Sequence, residues 1–250
     1  MKHEYSKQFY TRRADRAARS AQALVPLIVD LLGPSSVIDV GCGDGIWLNG
    51  FCAEGVETAI GLDGPWVPAK SLRIVEAAFV RFDLGSAAMP FRPPLPQARF
   101  DLAMSFELAE HLDETRADAF ADLMASLSDT LLISAAAPHQ GGTGHVNERW
   151  PDYWAEKFRA RGYKPFDFLR YALWTDERIA PWYRQNLIGY FRGEVPEAVQ
   201  RFGEASLRGL LERPLPLCHP GVFSYKLGKL RGWLTRPLAT GLAEYRRRRG

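Results

Sequence analysis

Three glycines on alternate positions give this sequence its clearest chemical signal. Gly41, Gly43 and Gly45 follow the β-branched run Val37–Val40 and precede an apolar stretch that begins at Ile46. This pattern predicts a strand, a tight loop and the start of a helix. Because glycine has no Cβ, such a loop can turn with positive φ and bring its N–H groups close to a ligand, beside the positive end of a helix dipole. The loop therefore predicts a nucleotide-binding site.

The spacing of this loop selects among nucleotides. A dinucleotide fingerprint needs a further glycine after two intervening residues, and Ile46 stands at that position here. A pyrophosphate cradle for NAD is therefore disfavoured. With Asp39 two places ahead of the first glycine, the stretch resembles the first motif of the class I (Rossmann-like) S-adenosylmethionine-dependent methyltransferases. An ordinary glycine-rich turn between a strand and a helix is the alternative.

Two later acids follow predicted strands at spacings that suit nucleoside recognition. Asp63 ends the predicted strand Thr58–Leu62, about twenty residues beyond the loop, where nucleotide-binding α/β units bond ribose hydroxyls. Asp83 ends a predicted strand over Ala77–Phe82. The resemblance implies that Asp63 binds both ribose hydroxyls of S-adenosylmethionine and that Asp83 reads its adenine amino group. The predicted cofactor residues are Asp39, Gly41, Cys42, Gly43, Asp63, Gly64, Asp83, Leu84, Ser105 and Phe106.

A second match to the same methyltransferases lies between Arg99 and Leu112. Phe100-Asp101-Leu102 opens a predicted fourth strand, and Glu110-His111-Leu112 begins the following helix. Enzymes that methylate exocyclic base nitrogens usually carry an Asn/Asp-Pro-Pro-aromatic tetrad at this strand end, whereas this chain has Ser105-Phe106-Glu107-Leu108 there. His111 is a candidate for facing the substrate, and packing or capping is its alternative role.

The segment of residues 137–154 carries more reactive side chains than a simple connection needs. A hydroxyl acceptor needs a base, whereas an amine can lose its proton before it binds. His145 is the preferred base because imidazole titrates near neutrality, and Glu148 could orient it. The alternative is that His145 only ties the loop down. The predicted catalytic residues are His145, Glu148 and His111, and the predicted substrate residues are His139, Asn147, Trp150 and Tyr153.

No metal is predicted from the sequence. Potential ligands occur in the same segment, but their spacings match no strong ligand motif: His139, His145, Glu148 and Asp152. The three cysteines are too few and too irregularly spaced for a disulfide framework or a zinc site.

These residues need a scaffold that gathers strand ends at one edge. Strand and helix alternate from Val37 to Ser134, which predicts a parallel sheet with helices on both faces and ligands at the carboxyl ends of its strands. Residues 166–169 and 187–191 are predicted as the last two strands, an antiparallel pair at the edge in the fold that the chain resembles. We therefore predict an α/β fold with a doubly wound, mostly parallel seven-stranded Rossmann-like sheet.

The predicted organisation has three parts: an N-terminal helical segment over 1–34, a cofactor-binding domain over 35–195, and a basic helical extension over 196–250. The first helical pattern spans residues 7–32 and predicts one or two helices, with the break between two falling near Pro26. In the extension, helices are predicted near residues 196–211 and 234–248. We found no membrane-spanning run and no signal peptide, so we expect a soluble, cytoplasmic protein.

Basic residues collect at both ends of the chain. Residues 1–20 carry six Lys and Arg against two acids, and residues 226–250 carry eight against one, although the whole chain has a net charge of only +3. Such ends can touch acidic surfaces weakly, or simply aid solubility. No RNA-binding module is recognisable between them, so nucleic acid is not the expected substrate.

The resemblance extends through residues 137–192 to a bacterial subset of class I methyltransferases associated with glycan and secondary-metabolite pathways. It implies methyl transfer from S-adenosylmethionine, yielding S-adenosylhomocysteine. We expect O-methylation of a small molecule or glycan with a histidine base. An RNA-directed or N-directed methyltransferase and a catalytically silent cofactor-binding protein are the alternatives.

Overall fold

The computed structural model describes residues 7–212, with side-chain burial from residue 15 to residue 208. Its sheet has seven strands: β1 Ser36–Val40, β2 Thr58–Asp63, β3 Phe79–Arg81, β4 Leu102–Phe106, β5 Thr130–Ser134, β6 Tyr163–Phe166 and β7 Ile188–Arg192. Its helices are α1 Lys7–Leu32, α2 Ile46–Ala53, α3 Ala117–Leu127, α4 Pro151–Arg159, α5 Leu169–Leu173, α6 Pro181–Asn186 and α7 Glu197–Glu212. Short 3₁₀ turns occupy Ala69–Ser71, Glu76–Ala78, Ala109–His111 and Glu114–Arg116.

The strand order is β3-β2-β1-β4-β5-β7-β6, with β7 antiparallel to both of its neighbours. The predicted doubly wound, mostly parallel seven-stranded sheet is therefore confirmed. The chain moves outward from β1 to β3 and then returns to place β4 beside β1. That reversal opens a crevice at the carboxyl ends of β1 and β4, which is where open α/β sheets bind ligands.

Apolar side chains fill both faces of the sheet. Val37, Ile38 and Val40 of β1 are fully buried, as expected for a central parallel strand covered on both sides. One core lies against α3 and α4, and the other lies against α1, α2, α5 and α6. The strand ends that form the crevice are thus held from both faces.

The N-terminal helix α1 runs unbroken through Pro26, so of the two alternatives the segment forms one helix. Proline inside a helix costs roughly 3 kcal/mol. Leu24, Val25 and Ile28 on the same helix are each at most 1% exposed, and burial of each such side chain contributes roughly 1.5–3 kcal/mol. Packing therefore outweighs the local penalty. The Ser20 hydroxyl, also buried, accepts the N–H of Ala180 just before α6 (2.9 Å).

The predicted strand over 166–169 is displaced in the structure. The strand is β6, Tyr163–Phe166, and α5 begins at Leu169. Pro165 is tolerated because β6 is an edge strand. Helix α7 lies close to the predicted position, and the predicted helix over 234–248 falls outside the described residues.

Within residues 7–212, no helix combines the length and apolar character that crossing a bilayer requires.

Candidate active site

The glycine loop has the backbone geometry that its sequence predicts. Gly41, Gly43 and Gly45 have φ of +86°, +56° and +80°. A Cβ on Gly41 would lie 2.7 Å from Cδ2 of Leu108, so only glycine fits at this point. The N–H groups of Gly41 and Cys42 both donate to the carbonyl of Leu62, at 2.7 and 3.2 Å. These bonds hold the loop against the end of β2.

Asp63, at the end of β2, holds the same loop through its carboxylate. Its Oδ2 accepts the N–H of Gly43 at 2.8 Å, and its Oδ1 accepts the N–H of Gly64 at 2.6 Å. The side chain of Trp66 also helps to lower the pKa of Asp63. Burial raises the pKa of Asp63, against the lowering effect of these hydrogen bonds. Each carboxylate oxygen has two lone pairs, so capacity remains for ligand hydroxyls.

Trp66 covers this part of the site. A Cβ added to Gly64 would lie 2.2 Å from the indole carbons of Trp66, so the indole rests directly on Gly64. The Trp66 side chain is nevertheless 64% exposed. A large aromatic residue with one face on the cleft and the rest in solvent is suited to contact a bound ring.

Asp39 in β1 is a buried acid beneath the loop. It is 1% exposed, and its Oδ1 has no hydrogen-bond partner among the described residues. Burial, followed by the nearby charge of Asp63, raises the pKa of Asp39. Neither acid has an ion-pair partner among the side chains described for residues 15–208. Because an uncompensated buried charge is costly, this pair favours a ligand that carries positive charge.

An open cleft with a volume of about 100 Å³ adjoins these groups. Asp83, on its far side, accepts the Ser86 hydroxyl at 2.6 Å and the Gly85 N–H at 2.8 Å. The Ser86 bond is the main cause of a lowered pKa for Asp83, so this carboxylate is ionised at neutral pH. The cleft is lined by Gly41, Leu62, Asp63, Gly64, Trp66, Phe82, Asp83, Leu84, Gly85, Leu108, His111 and Leu112.

Five predicted cofactor residues lie outside this lining: Asp39 and Gly43, described above, and Cys42, Ser105 and Phe106, which make contacts within the protein. The Ser105 hydroxyl donates to the carbonyl of Val40 at 2.7 Å and ties β4 to β1. The Phe106 ring stands edge-on to Trp47, with centroids 4.8 Å apart. The Cys42 thiol is buried against Gly61, and this burial raises its pKa. These side chains support the floor of the crevice.

The predicted catalytic residues come together at the other end of the cleft. Nδ1 of His145 lies 2.9 Å from Oε1 of Glu148, and its Nε2 lies 3.9 Å from Oε1 of Glu110. The His111 and His145 rings meet edge to face, with centroids 4.8 Å apart. Nδ1 of His111 lies 3.2 Å from the carbonyl of Gly144. We call Glu110, His111, His145 and Glu148 the carboxylate–histidine cluster.

Sequence reasoning did not single out Glu110, although it stands next to His111 in the chain. The Glu110 side chain is fully buried, and its carbonyl accepts the N–H groups of Val146 and Asn147 at 2.9 and 3.0 Å. These two bonds clamp the glycine-rich segment onto the turn that carries His111. The only sign of this role in the sequence is that Glu110 stands next to His111. Only the fold shows that His145, far along the chain, lies beside them.

Glu148 organises the rest of this segment. Its two oxygens accept the backbone N–H groups of His139 and Gly141, each at 2.8 Å. Burial by itself would raise the pKa of Glu148, but the hydrogen bonds from His145 and from these backbone groups lower it overall. Glu148 is therefore an ionised, acceptor-only partner for the His145 ring.

The four predicted substrate residues do not line the cleft. His139 is exposed, with φ +71°. Asn147 is buried, and its Oδ1 accepts Nε of Arg149 at 2.8 Å. The Tyr153 ring lies 5.1 Å from the Arg149 guanidinium, and Trp150 is half-buried at the start of α4. Contact of these residues with an acceptor stays a prediction.

Glu107 is a further site residue that the sequence did not reveal. It follows β4 with φ +55°, a strained conformation for a residue with a Cβ. Its carboxylate accepts the Ser134 hydroxyl, Nε2 of Gln140 (2.6 Å) and Nδ2 of Asn186 (3.1 Å). This network joins the ends of β4 and β5 to α6, and so fixes the wall next to the glycine-rich segment.

A protein family described as "methyltransferase domain" matches residues 10–178 of this chain. No curated protein is similar enough in sequence to match. Several solved structures share the fold, and three are described below. At sequence identities of 14–15%, these likenesses show the fold alone.

The first of these structures is DesVI from Streptomyces venezuelae, with 15% identity and a TM-score of 0.54 over 76% of this chain and 100% of that one. The second is the sugar N-methyltransferase KedS8 from Streptoalloteichus sp. ATCC 53650, with 15% identity and a TM-score of 0.55 over 78% of this chain and 95% of that one. The third is the amino pentose methyltransferase CalS10 from Micromonospora echinaspora, solved with its donor S-adenosylmethionine (SAM) bound. It has 14% identity and a TM-score of 0.52 over 77% of this chain and 100% of that one.

Proposed function

This chain belongs to the family of methyltransferase domains, and we propose that it methylates a hydroxyl oxygen of a small molecule or glycan. It is an enzyme, and S-adenosylmethionine is its methyl donor. The nature of the acceptor and the roles of individual residues are our proposals, argued below from the cleft and from the carboxylate–histidine cluster.

The described residues fit this donor in charge and in hydrogen-bonding capacity. Asp39 and Asp63 supply negative charge that would balance a cationic ligand, and Asp39 Oδ1 is a buried acceptor in need of a partner. Asp63 would accept the ribose hydroxyls, and Asp83 with Leu84 would hold the adenine. When bound, S-adenosylmethionine supplies a methyl group that its positively charged sulfur has already activated.

One observation carries the choice of a hydroxyl acceptor: the carboxylate–histidine cluster meets the cleft at His111. Methyl transfer needs alignment of the acceptor and removal of its proton. An amine can lose that proton before it binds, but a hydroxyl cannot, so a hydroxyl needs an activating group in the site. The cluster would provide this activation next to the donor.

Deprotonation by His145 is the simplest form of this activation. In the structure the two nitrogens of His145 face Glu148 and Glu110, at 2.9 and 3.9 Å. Direct contact with an acceptor would therefore fall to His111, which lines the cleft. We propose that His145 and Glu148 support His111 from the side away from the acceptor. His145 is then a positioning residue and not the direct base.

A sugar is the favoured acceptor class. The solved structures with this fold include a sugar N-methyltransferase and an amino pentose methyltransferase. These names also favour a second candidate, methylation of a sugar amine. A sugar that carries both groups would separate the two proposals within one molecule.

The test uses S-adenosylmethionine with a ¹³C-labelled methyl group and a panel of nucleotide-linked sugars. Each amino sugar is paired with its hydroxyl counterpart, and each hydroxyl sugar with a deoxy analogue. We expect a labelled methoxy group in the product spectrum and no product from the deoxy analogue. Label found only on nitrogen would replace this proposal with the second candidate. A protein that binds S-adenosylhomocysteine but labels no member of the panel would count against sugars.

A further inference from the structure

Three side chains of the cluster bring potential metal ligands together. Glu110, His111 and His145 each offer one ligand atom, and these atoms lie within 4.8 Å of one another. The 3.9 Å between Nε2 of His145 and Oε1 of Glu110 is too long for a hydrogen bond. Two ligand atoms bound to one ion at about 2.1 Å lie roughly 3–4 Å apart. The 3.9 Å pair therefore has the separation of two ligands of one ion, and the three atoms together would need only a small approach to bind it.

The hydrogen bonds on the outer sides of the two rings fix their tautomers. Nδ1 of His145 faces the carboxylate of Glu148 at 2.9 Å, and Nδ1 of His111 faces the carbonyl of Gly144 at 3.2 Å. Both partners can only accept, so each Nδ1 carries the hydrogen, and each neutral ring keeps its lone pair on Nε2. A carboxylate or carbonyl on the N–H side of a histidine is the usual outer support of a metal ligand.

The carboxylates around His145 also favour a bound cation. The carboxylates of Glu110 and Glu148 flank the His145 ring. Glu110 is fully buried, and a buried carboxylate suits a site that holds a cation. A divalent ion between Glu110 and the two rings would bring positive charge to this carboxylate.

The ligand set also narrows the type of ion. Magnesium and calcium prefer oxygen ligands alone, whereas two imidazole nitrogens and one carboxylate suit manganese, iron, cobalt or zinc. Three protein ligands leave open positions on the ion, as in catalytic metal sites. Because His111 lines the cleft, those positions would face the donor.

We propose that Glu110, His111 and His145 bind a divalent transition-metal ion that holds the acceptor oxygen. Its role in catalysis rests on the proposed function, but the binding of the ion does not. A hydroxyl bound to the ion loses its proton to water, and its oxygen then forms the bond to the methyl carbon. The carbon–sulfur bond breaks, and its electron pair remains on the sulfur, which becomes neutral. Glu148 is a positioning residue for His145.

The test measures manganese binding directly. Full-length protein is stripped with EDTA and titrated with MnCl₂, free Mn²⁺ is followed by electron paramagnetic resonance, and bound Mn²⁺ is examined by electron spin echo modulation. We expect one bound ion with ¹⁴N modulation from imidazole. Glu148→Gln should weaken binding by about 10–100-fold, the usual cost of losing an outer-shell partner, and Glu110→Gln should weaken it more. Glu114→Gln, which removes a nearby exposed carboxylate, is the matched control and should bind as the wild type does.

A second variant leaves every ligand in place. A Cβ on Gly142 would lie 2.1 Å from Nε2 of His145, so Gly142→Ala should displace the ring and weaken Mn²⁺ binding. The proposal is overturned if wild-type protein shows no ¹⁴N modulation, or if a folded Glu110→Gln protein binds Mn²⁺ as tightly as Glu114→Gln does. The wild-type spectrum alone decides the matter if Glu110→Gln does not fold. Binding of S-adenosylhomocysteine, measured on the same samples, reports separately on the proposed function.

Discussion

Replacing Asp63 with alanine should weaken S-adenosylmethionine binding sharply. The Asp63 carboxylate is proposed to accept the ribose hydroxyls, and hydrogen bonds to a charged group are worth about 1.5–3 kcal/mol. That range corresponds to a loss of affinity of roughly 10- to 150-fold. The same carboxylate holds the N–H groups of Gly43 and Gly64, so disorder of the loop would add to the loss. Isothermal titration calorimetry with the donor and with S-adenosylhomocysteine gives the measurement.

Asp101→Ala is the matched control for this loop effect. The Asp101 carboxylate also accepts two backbone N–H groups, those of Ser35 and Ser36, each at 2.9 Å, but it does so at the opposite end of β1. It should lower the melting temperature without changing donor affinity. Unchanged affinity in a folded Asp63→Ala protein would show that Asp63 does not bind the donor. Equal losses in both variants would trace the effect to general destabilisation.

Four further predictions concern the donor, the acceptor side and the substrate class. NAD should not bind comparably in the same calorimetry, because Ile46 stands where a dinucleotide loop needs glycine. His145→Ala should disrupt the cluster that activates the acceptor and so lower turnover by about 10²–10⁴-fold, the usual contribution of proton removal, while donor affinity stays near the wild-type value. Wild-type turnover at saturating acceptor would show that His145 has no part in this activation. Burial raises the pKa of Asp39 and of Asp63, so these acids take up protons at a higher pH than ordinary carboxyls. The affinity for the cationic donor should therefore fall as the pH is lowered through the raised pKa values, and calorimetry showing constant affinity from pH 7 to 4 would contradict this. RNA should acquire no stable radioactive methyl label at physiological salt, since adhesion through basic ends fades steeply with salt.

On the donor side, the sequence predicted where the loop and the acids would lie in the fold, because these features are local. The glycine loop, Asp63 and Asp83 each follow a strand within a few residues, and parallel strands bring their carboxyl ends to one edge. The contacts that each of these side chains makes depend on packing and could not be predicted from the sequence. Ser105 lies in the predicted place, but the neighbouring carbonyl of Val40 takes its hydroxyl.

The acceptor side could not be predicted in the same way because it depends on long-range contacts. Glu110 and His145 are distant in the chain and meet only because the Glu110 carbonyl accepts two N–H groups of the later segment. The error in β6 had a local cause: Phe166 and Phe168 alternate as in a strand, but the sheet pairs Pro165 with Tyr190. Helix α1 continued past Pro26 because its buried face outweighed the local penalty.

A crystal structure with bound S-adenosylhomocysteine would show where the donor lies relative to the two acids and the cluster. We expect ribose hydroxyls within hydrogen-bonding distance of the Asp63 carboxylate, adenine beside Asp83 and Leu84, and the sulfur directed toward His111. A nucleoside bound elsewhere, or a sulfur facing away from the carboxylate–histidine cluster, would contradict this expectation.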